Sequence, residues 1–368
     1  MFGKPKSRRT RNAVVDILNG FLSILVLAII VLVGIVVWGI SQFYAEGQSS
    51  QDTVFIVERG NGLSTVAQRL EDAGLISNRW IFIGGAMAEK KERALKHGEY
   101  KLTAGASMAD ILTELSEGTP ITYSVTFPEG YTSWQIVERL NEAPLLEGNI
   151  ETLPEEGTLL PDTYVYERGA TRQSVLDRMI AAHDEALAEI WAERDPNLPL
   201  DTPEQLVILA SIVEKETGVD GERPQVASVF VNRLKRNMRL QSDPTTIYGI
   251  TKGVGTLGRG LRKSELEART DYNTYQIDGL PAGPIANPGL AALQATANPD
   301  KTAYLYFVAA GATPSDGHLF ATNYADHRKN VAQWRAVERE AAAEAANEAE
   351  LTREALEQQE AEAADAGN

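Results

Sequence analysis

Near the N-terminus the chain is continuously apolar. No charge stands between Asp16 and Glu46, and from Phe21 to Ile40 the only polar side chain is Ser23. About 20 apolar residues span a bilayer core as a helix, so a transmembrane helix is predicted over residues 21–43. A cleaved signal peptide would have a shorter apolar region, about 7–15 residues, followed by a small-x-small cleavage site. Neither holds here. Lys4, Lys6, Arg8, Arg9 and Arg11 precede the run. They predict a cytoplasmic N-terminus over residues 1–20, with everything after Glu46 outside the membrane. Trp38, Phe43 and Tyr44 stand where an outer aromatic belt would form. Residues 44–52 read as a short polar linker.

Beyond the linker the periodicity alternates between strand and helix. Thr53 to Val57 reads as a strand. Gly60, Gly105 and Gly130 are each followed by an aliphatic residue six positions on (Val66, Ile111, Ile136) and by Leu ten positions on (Leu70, Leu115, Leu140). Ser64, Ser107 and Thr132 are the expected N-caps. The unit is a strand, a glycine turn and a short amphipathic helix, used three times. A further helix is predicted over Thr171–Arg194, ended by Pro196 and Pro199. Thr202-Pro203 then opens a helix that is apolar on nearly every side from Leu206 to Val213, as a central buried helix would be, with Gly218 as its expected C-terminal cap. Another helix is expected near Pro224–Met238. From Leu240 to Gly289 glycine and proline are dense, predicting a long structured loop, and Ala303–Ala309 reads as the clearest strand. From Arg335 on, the chain is Ala/Glu-rich without a broad apolar face, which suits a solvated or frayed helix or a disordered tail. The expected fold class is therefore α+β: a small module over residues 53–120, a larger mixed domain over 121–334 and an acidic tail over 335–368.

Charge and cysteine content narrow the function. Of 368 residues, 51 are acidic and 35 basic, a formal charge of −16. Ten acids and three bases lie after Trp334, so the tail holds −7 of that charge. Such a balance argues against a nucleic-acid binder, which needs a basic face. Cysteine is absent, excluding disulfide scaffolds, CxxC zinc sites and thiol catalysis. No phosphate loop or dinucleotide fingerprint occurs. His318 and His327 lack metal-ligand spacing and read as structural, so neither cofactor nor metal is expected.

Glu216 is the most informative residue. It falls in the last turn of the apolar helix, four after Ile212 and three after Val213, on a face shared with buried residues. A carboxyl held partly out of water has a raised pKa and can act as a general acid, which suits cleavage of a glycosidic bond. Periodicity alone leaves a simpler reading open, in which Glu214 and Glu216 merely solvate the end of a buried helix. Gln241, Asp243, Thr245 and Tyr248, with Asn232, Tyr272 and Asn273, could hydrogen-bond sugar hydroxyls and acetamido groups, or serve equally as turn and capping residues. Asp243 before Pro244 is a common turn opener. Were Asp243 to face Glu216, a two-carboxylate hydrolase would become possible. Trp80 and Trp134 could stack on sugars, although isolated aromatics more often belong to a core.

Longer motifs carry a resemblance. Leu209-Ala-Ser-Ile-Val-Glu-Lys-Glu-Thr217, Val226-Ala-Ser-Val-Phe-Val-Asn-Arg-Leu234 and Met238-Arg-Leu-Gln-Ser-Asp-Pro-Thr-Thr-Ile-Tyr-Gly249 occur in series. They are joined by Leu160-Pro-Asp-Thr-Tyr164, Tyr272-Asn-Thr-Tyr275, Gly279-Leu-Pro-Ala-Gly-Pro-Ile285, Tyr304-Leu-Tyr-Phe-Val308 and His318-Leu-Phe320. This series resembles the MltG (YceG-like) endolytic murein transglycosylases over most of the chain. The resemblance implies a membrane anchor, a LysM-like module and a catalytic domain with a lysozyme-like active-site helix. It also implies a periplasm-facing lyase on the inner membrane. Such an enzyme cuts the bond between N-acetylmuramic acid and N-acetylglucosamine in nascent peptidoglycan strands without adding water. The muramic C6 hydroxyl attacks C1, a 1,6-anhydro end forms and strand elongation stops. The catalytic Glu carried over is Glu216, serving as acid and then as base. Peptidoglycan synthases are the implied partners. Ser242 departs from the family's common Thr, and Ala282 from its common Pro. The acidic tail is not part of the pattern.

Overall fold

A computed structural model describes residues 13–366, so the basic residues Lys4 to Arg11 lie outside the described part. The fold is mixed α+β and divides into two compact units. The first runs to Tyr123 and takes in Glu167–Gly169; the second comprises Ser124–Tyr166 and everything from Ala170.

The first unit opens with α1 (Ala13–Tyr44), whose stretch Val15–Tyr44 is long and apolar enough to cross a membrane. After it, β1 (Thr53–Val57) pairs antiparallel with β2 (Gly98–Leu102), setting Phe55 opposite Tyr100. Between the strands lie α2 (Leu63–Asp72) and α3 (Arg79–Ala88), and α4 (Met108–Glu117) follows β2. Val66, Leu70, Phe82, Tyr100, Leu112 and Leu115 form a fully enclosed core. The expected linker lies against this unit: the Gly47 amide donates to the Gly105 carbonyl at 3.0 Å, and the Gly105 amide to the Ser49 carbonyl at 2.8 Å.

The strands β3 (Thr122–Thr126) and β4 (Thr163–Glu167), mostly in the second unit, pair with each other, with α5 (Ser133–Glu142) between them in sequence. The helix α6 (Arg172–Ala192) begins at its Thr171 N-cap. The Arg172 guanidinium donates to the carbonyls of Leu140, Asn141, Ala143, Leu146 and Gly148. Carbonyls at and beyond the end of α5 are thereby tied together, that of Leu140 accepting from the Ala143 amide as well. At the centre lies α7 (Pro203–Glu216), with Leu206, Leu209, Ala210, Ile212 and Val213 buried. Around it come α8 (Arg223–Lys235), α9 (Asp243–Thr251), the short α10 (Lys263–Glu267) and α11 (Leu290–Ala297). A hairpin of β5 (Tyr306–Ala309) and β6 (His318–Ala321) is antiparallel. It packs against the start of α12 (Tyr324–Ala366), which passes the expected boundary at Trp334 without a break.

The thrice-used unit forms, with one correction. Gly60, Gly105 and Gly130 take φ of +82°, +72° and +73°, a left-handed conformation that suits glycine. Two residues after each glycine comes the N-cap. Ser107 and Thr132 close full capping boxes. In the first unit that position is Gly62, without a side-chain cap, and Ser64 lies inside α2. The glycine, rather than the nearest serine, sets the helix start. Other expectations also shift. Gly218 does not cap α7, because Thr217 already turns extended at φ −140°. The strand expected from Ala303 starts at Tyr306. The turn-rich stretch holds α9 and α10, and Asp243-Pro244 opens α9 rather than a turn, since proline fits the first helical turn.

Candidate active site

The site is built on the end of α7. Thr202 caps its start by accepting from the Gln205 amide, and burial on all sides fixes the helix axis. Because the backbone leaves the helix at Thr217, Glu216 is its last residue. The residue keeps a narrow window to solvent while protein surrounds its carboxyl. That desolvation penalises the charged form and pushes the Glu216 pKa up to about 7.

Ser242 supplies the counterweight. Its Oγ donates to Glu216 Oε1 at 2.5 Å, the length of a hydroxyl bonded to a carboxylate. Ser242 is also the N-cap residue of α9, yet makes no capping bond with its side chain. Serine at this position ordinarily accepts from the N2 or N3 amide; here the hydroxyl is turned to the carboxyl instead. The bond favours the charged form, as does the guanidinium of Arg233, whereas the charge of Asp243 pushes the other way. Oε2 of Glu216 accepts no hydrogen bond from the described residues.

Ser242 is itself held. Its amide donates to Thr274 Oγ1 at 2.9 Å, and its carbonyl accepts from Thr245 Oγ1 at 2.7 Å. On α8, buried Arg233 donates to the carbonyls of Leu240 at 2.7 Å, Arg239 at 3.3 Å and Leu305 at 2.7 Å. It thus clamps the backbone just before Ser242. Gln241 sits between, exposed and in a left-handed conformation at φ +55°.

The other candidates fall into two groups. Thr245 and Asn273 are buried and turn their polar atoms inward: Asn273 Nδ2 donates to the carbonyls of Glu265, Leu266 and Ala268, and its Oδ1 accepts from Thr246. Asn232 Nδ2 donates to the carbonyls of Thr302 and Tyr304, both at 3.0 Å. Gln241, Asp243, Tyr248 and Tyr272 keep open faces. Tyr275, absent from the sequence-based set, donates its hydroxyl to Asp243 Oδ1 at 2.7 Å. Tyr248 and Tyr272 pack with centroids 4.9 Å apart, and the Lys252 ammonium lies 4.7 Å from the Tyr272 ring. A cavity of about 340 Å³ opens beside them, lined by Lys215, Pro244, Ile247, Tyr248, Thr251 and Ile285.

Two more buried carboxyls have pKa values raised by desolvation, and their contacts distinguish them from Glu216. Glu214 accepts from the Gly289 amide at 2.9 Å and faces Arg223 at 3.7 Å. Glu156 accepts from the Ser133 amide at 2.8 Å and Asn287 Nδ2 at 3.0 Å. Both are anchored by backbone amides. Glu216 alone of the three is held by a single side-chain hydroxyl with its other oxygen available, so it can give up a proton near neutral pH and take one back. His318 is paired with Glu222 through Nδ1 at 2.8 Å, and His327 stacks on Tyr306. Three or more His, Asp or Glu side chains placed to hold a metal do not occur among the described residues.

Sequence reasoning reached Glu216 and the segment that meets it, but not the parts played by Ser242, Arg233 and Tyr275. Two signals were present in the motifs: an Arg inside the α8 run, and a serine directly before Asp243-Pro244.

Comparison with known proteins identifies the family. Residues 55–333 match the model of the YceG-like family. An endolytic murein transglycosylase of Streptococcus pneumoniae strain D39 is 31% identical over 75% of this chain and 57% of its own length. One from Bacillus subtilis strain 168 is 28% identical over 80% of this chain and 89% of its own. The chain thus spans a little over half of the streptococcal relative. A crystal structure of a yceG-like protein from Listeria monocytogenes is 28% identical, covering 76% of this chain and 99% of that one, with a TM-score of 0.46. With a family match running from β1 into α12 and through every segment of the site, the chain belongs to the YceG-like family.

Proposed function

We propose that this chain is an endolytic murein transglycosylase, a lyase anchored by α1 in the inner membrane and working on nascent peptidoglycan strands in the periplasm. The observation that carries this reading is the Glu216 carboxyl, poised near neutral pH on the last turn of a buried helix, with one oxygen held by Ser242 and the other available. In its protonated form it donates to the glycosidic oxygen between N-acetylmuramic acid and N-acetylglucosamine as positive charge develops at C1. The resulting carboxylate then takes the proton of the muramic C6 hydroxyl as that oxygen closes on C1, and the acid is regenerated. The Ser242 hydroxyl and the Arg233 charge stabilise the carboxylate between the two transfers. One carboxyl suffices because no water is activated. Asp243, bonded to Tyr275, is then read as part of the groove rather than as a water-directing base. The open faces of Gln241, Tyr248 and Tyr272 are the proposed sugar contacts, while Thr245, Asn273 and Asn232 are proposed to hold the segments that carry them. The β1–α2–α3–β2 arrangement supports a LysM-like reading of the first unit, and α7 is proposed as the lysozyme-like helix. Synthases that elongate the strand are the proposed partners.

The test uses the full chain in detergent on purified peptidoglycan strands, with products read by mass spectrometry. Wild type is expected to release fragments one water lighter than hydrolysis products, and Glu216→Gln none while remaining folded. Fragments that take up oxygen from labelled water would make it a hydrolase and return attention to Asp243. A folded wild type that binds glycan without cutting it would make it a scaffold.

A further inference from the structure

The outward face of α3 is apolar without interruption. The helix Arg79–Ala88 carries no charge after its first residue. Phe82 and Ala86 point into the core, while Trp80, Gly84, Met87 and Ala88 are exposed. Their i, i+4, i+7, i+8 spacing makes a single stripe. Trp80 and Met87 are 66% and 63% exposed, which for two large apolar side chains on one face asks for a partner.

What covers the stripe follows from α1. Its apolar stretch Val15–Tyr44 has 30 residues, about 45 Å of helix against a hydrocarbon core of about 30 Å. The excess divides between the polar start, with Asp16 and Asn19, and the end from Ser41 to Tyr44, outside the 20-residue apolar run Phe21–Ile40. It is against that end that α3 lies. Phe43 is buried on Gly85, where an added Cβ would come within 2.2 Å of its ring. Tyr44 donates to Glu89 at 3.3 Å. Between the two helices opens an apolar cavity of about 480 Å³, lined by Val36, Ile40, Tyr44, Ile81, Gly84 and Ala88. One wall thus belongs to the helix proposed to span the bilayer, at the depth where headgroups meet acyl chains. The ends of α3 carry Arg79 before the stripe, 3.8 Å from Glu71, and Lys90 and Lys91 after it, the latter paired with Glu89 and Glu117. An aromatic and apolar face flanked by cations is what an interfacial helix presents. The linker cannot lift the unit away, since residues 47 and 49 are bonded to Gly105.

We propose that α3 is a lipid-binding interfacial helix: the Trp80–Met87 stripe lies in the outer leaflet, and the cavity it shares with α1 takes an acyl chain of a phospholipid. The proposal rests on α1 spanning the membrane, and the experiment separates the two. The chain has no cysteine, so single substitutions Trp80→Cys, Met87→Cys, Val31→Cys and Glu58→Cys can each carry one spin label. Each full-length variant is reconstituted into vesicles of phosphatidylethanolamine and phosphatidylglycerol. Collision of the label with oxygen and with a water-soluble nickel chelate is then measured. The expected result is an oxygen-to-nickel ratio several-fold higher at positions 80 and 87 than at 58, approaching the value at 31. Nickel access at 80 and 87 with oxygen access at 31 would overturn the proposal and leave the anchor standing. Nickel access at 31 as well would overturn both. Exclusion of both reagents at 80 and 87, with spin–spin broadening, would assign the stripe to a second copy of the chain and overturn the lipid.

Discussion

At the scale of single residues, the site turns on one carboxyl whose environment opposes its charge. The Glu216 pKa lies at about 7 in the fold and near 4.3 in an unfolded chain. Between those values the folded state binds the extra proton, so stability falls as pH rises through this window. The penalty is fully present above about pH 7 and amounts to roughly 3–4 kcal/mol. Glu216→Gln is therefore expected to be inactive yet more stable than wild type at pH 8, with the difference vanishing below about pH 4; urea unfolding at both pH values checks this. Ser242 acts in the opposite sense. Ser242→Ala removes a bond that favours the carboxylate, so the pKa rises further. The alkaline limb of the rate–pH profile should then move up by about one pH unit, the equivalent of about 1.4 kcal/mol, whereas Ser242→Thr should leave it in place. Periodicity drew attention to the carboxylates Glu214 and Glu216 that end a buried helix, and the motif resemblance singled out Glu216 between them. The part played by Ser242 was not legible, because nothing local reveals that a helix-capping serine has left its capping duty for a carboxyl 26 residues away.

Among the elements, legibility depended on how local the cause was. The strand Thr53–Val57, the caps at Ser107 and Thr132 and the Thr202-Pro203 start were readable, since each is decided by neighbours in sequence. The helix α9 was not, although its Ser-Asp-Pro start is a good helix opening. The surrounding glycines and prolines outvoted it, and its Thr245 and Thr246 are buried by threonine and asparagine partners about 30 residues on. The glycine turns offer a direct test of the corrected caps. Thr132 accepts from the Gln135 amide and donates to the Gly253 carbonyl at 2.7 Å, so Thr132→Ala should cost about 1–2 kcal/mol. Ser64, exposed within α2, should tolerate alanine without loss. Equilibrium unfolding of the two variants distinguishes a true cap from a serine that merely stands near one.

For the whole molecule, the uneven charge has a structural counterpart in α12. Its first turns pack on the β5–β6 hairpin, with His327 stacked on Tyr306 and Asn330 donating to the Phe320 carbonyl. The helix then continues to Ala366. Residues 345–368 contain seven acids and one base. Deleting them should leave the melting temperature within about 2 °C, since the described contacts with the hairpin come from the first turns of α12, while anion-exchange retention drops clearly. That the chain from Tyr324 to Ala366 is one continuous helix was left open by the sequence, because Ala and Glu favour helix without supplying an apolar face.

The carboxyl at about 7 has a consequence for the cell as well as for the chemistry. The space outside a cytoplasmic membrane exchanges protons with the medium. In the proposed location, the fraction of enzyme carrying the working proton would be about one half at pH 7 and about one-tenth at pH 8. Strand cutting would then slow as the surroundings turn alkaline, with no messenger, receptor or change in protein amount. The length of new wall polymer would carry a record of the acidity in which it was made.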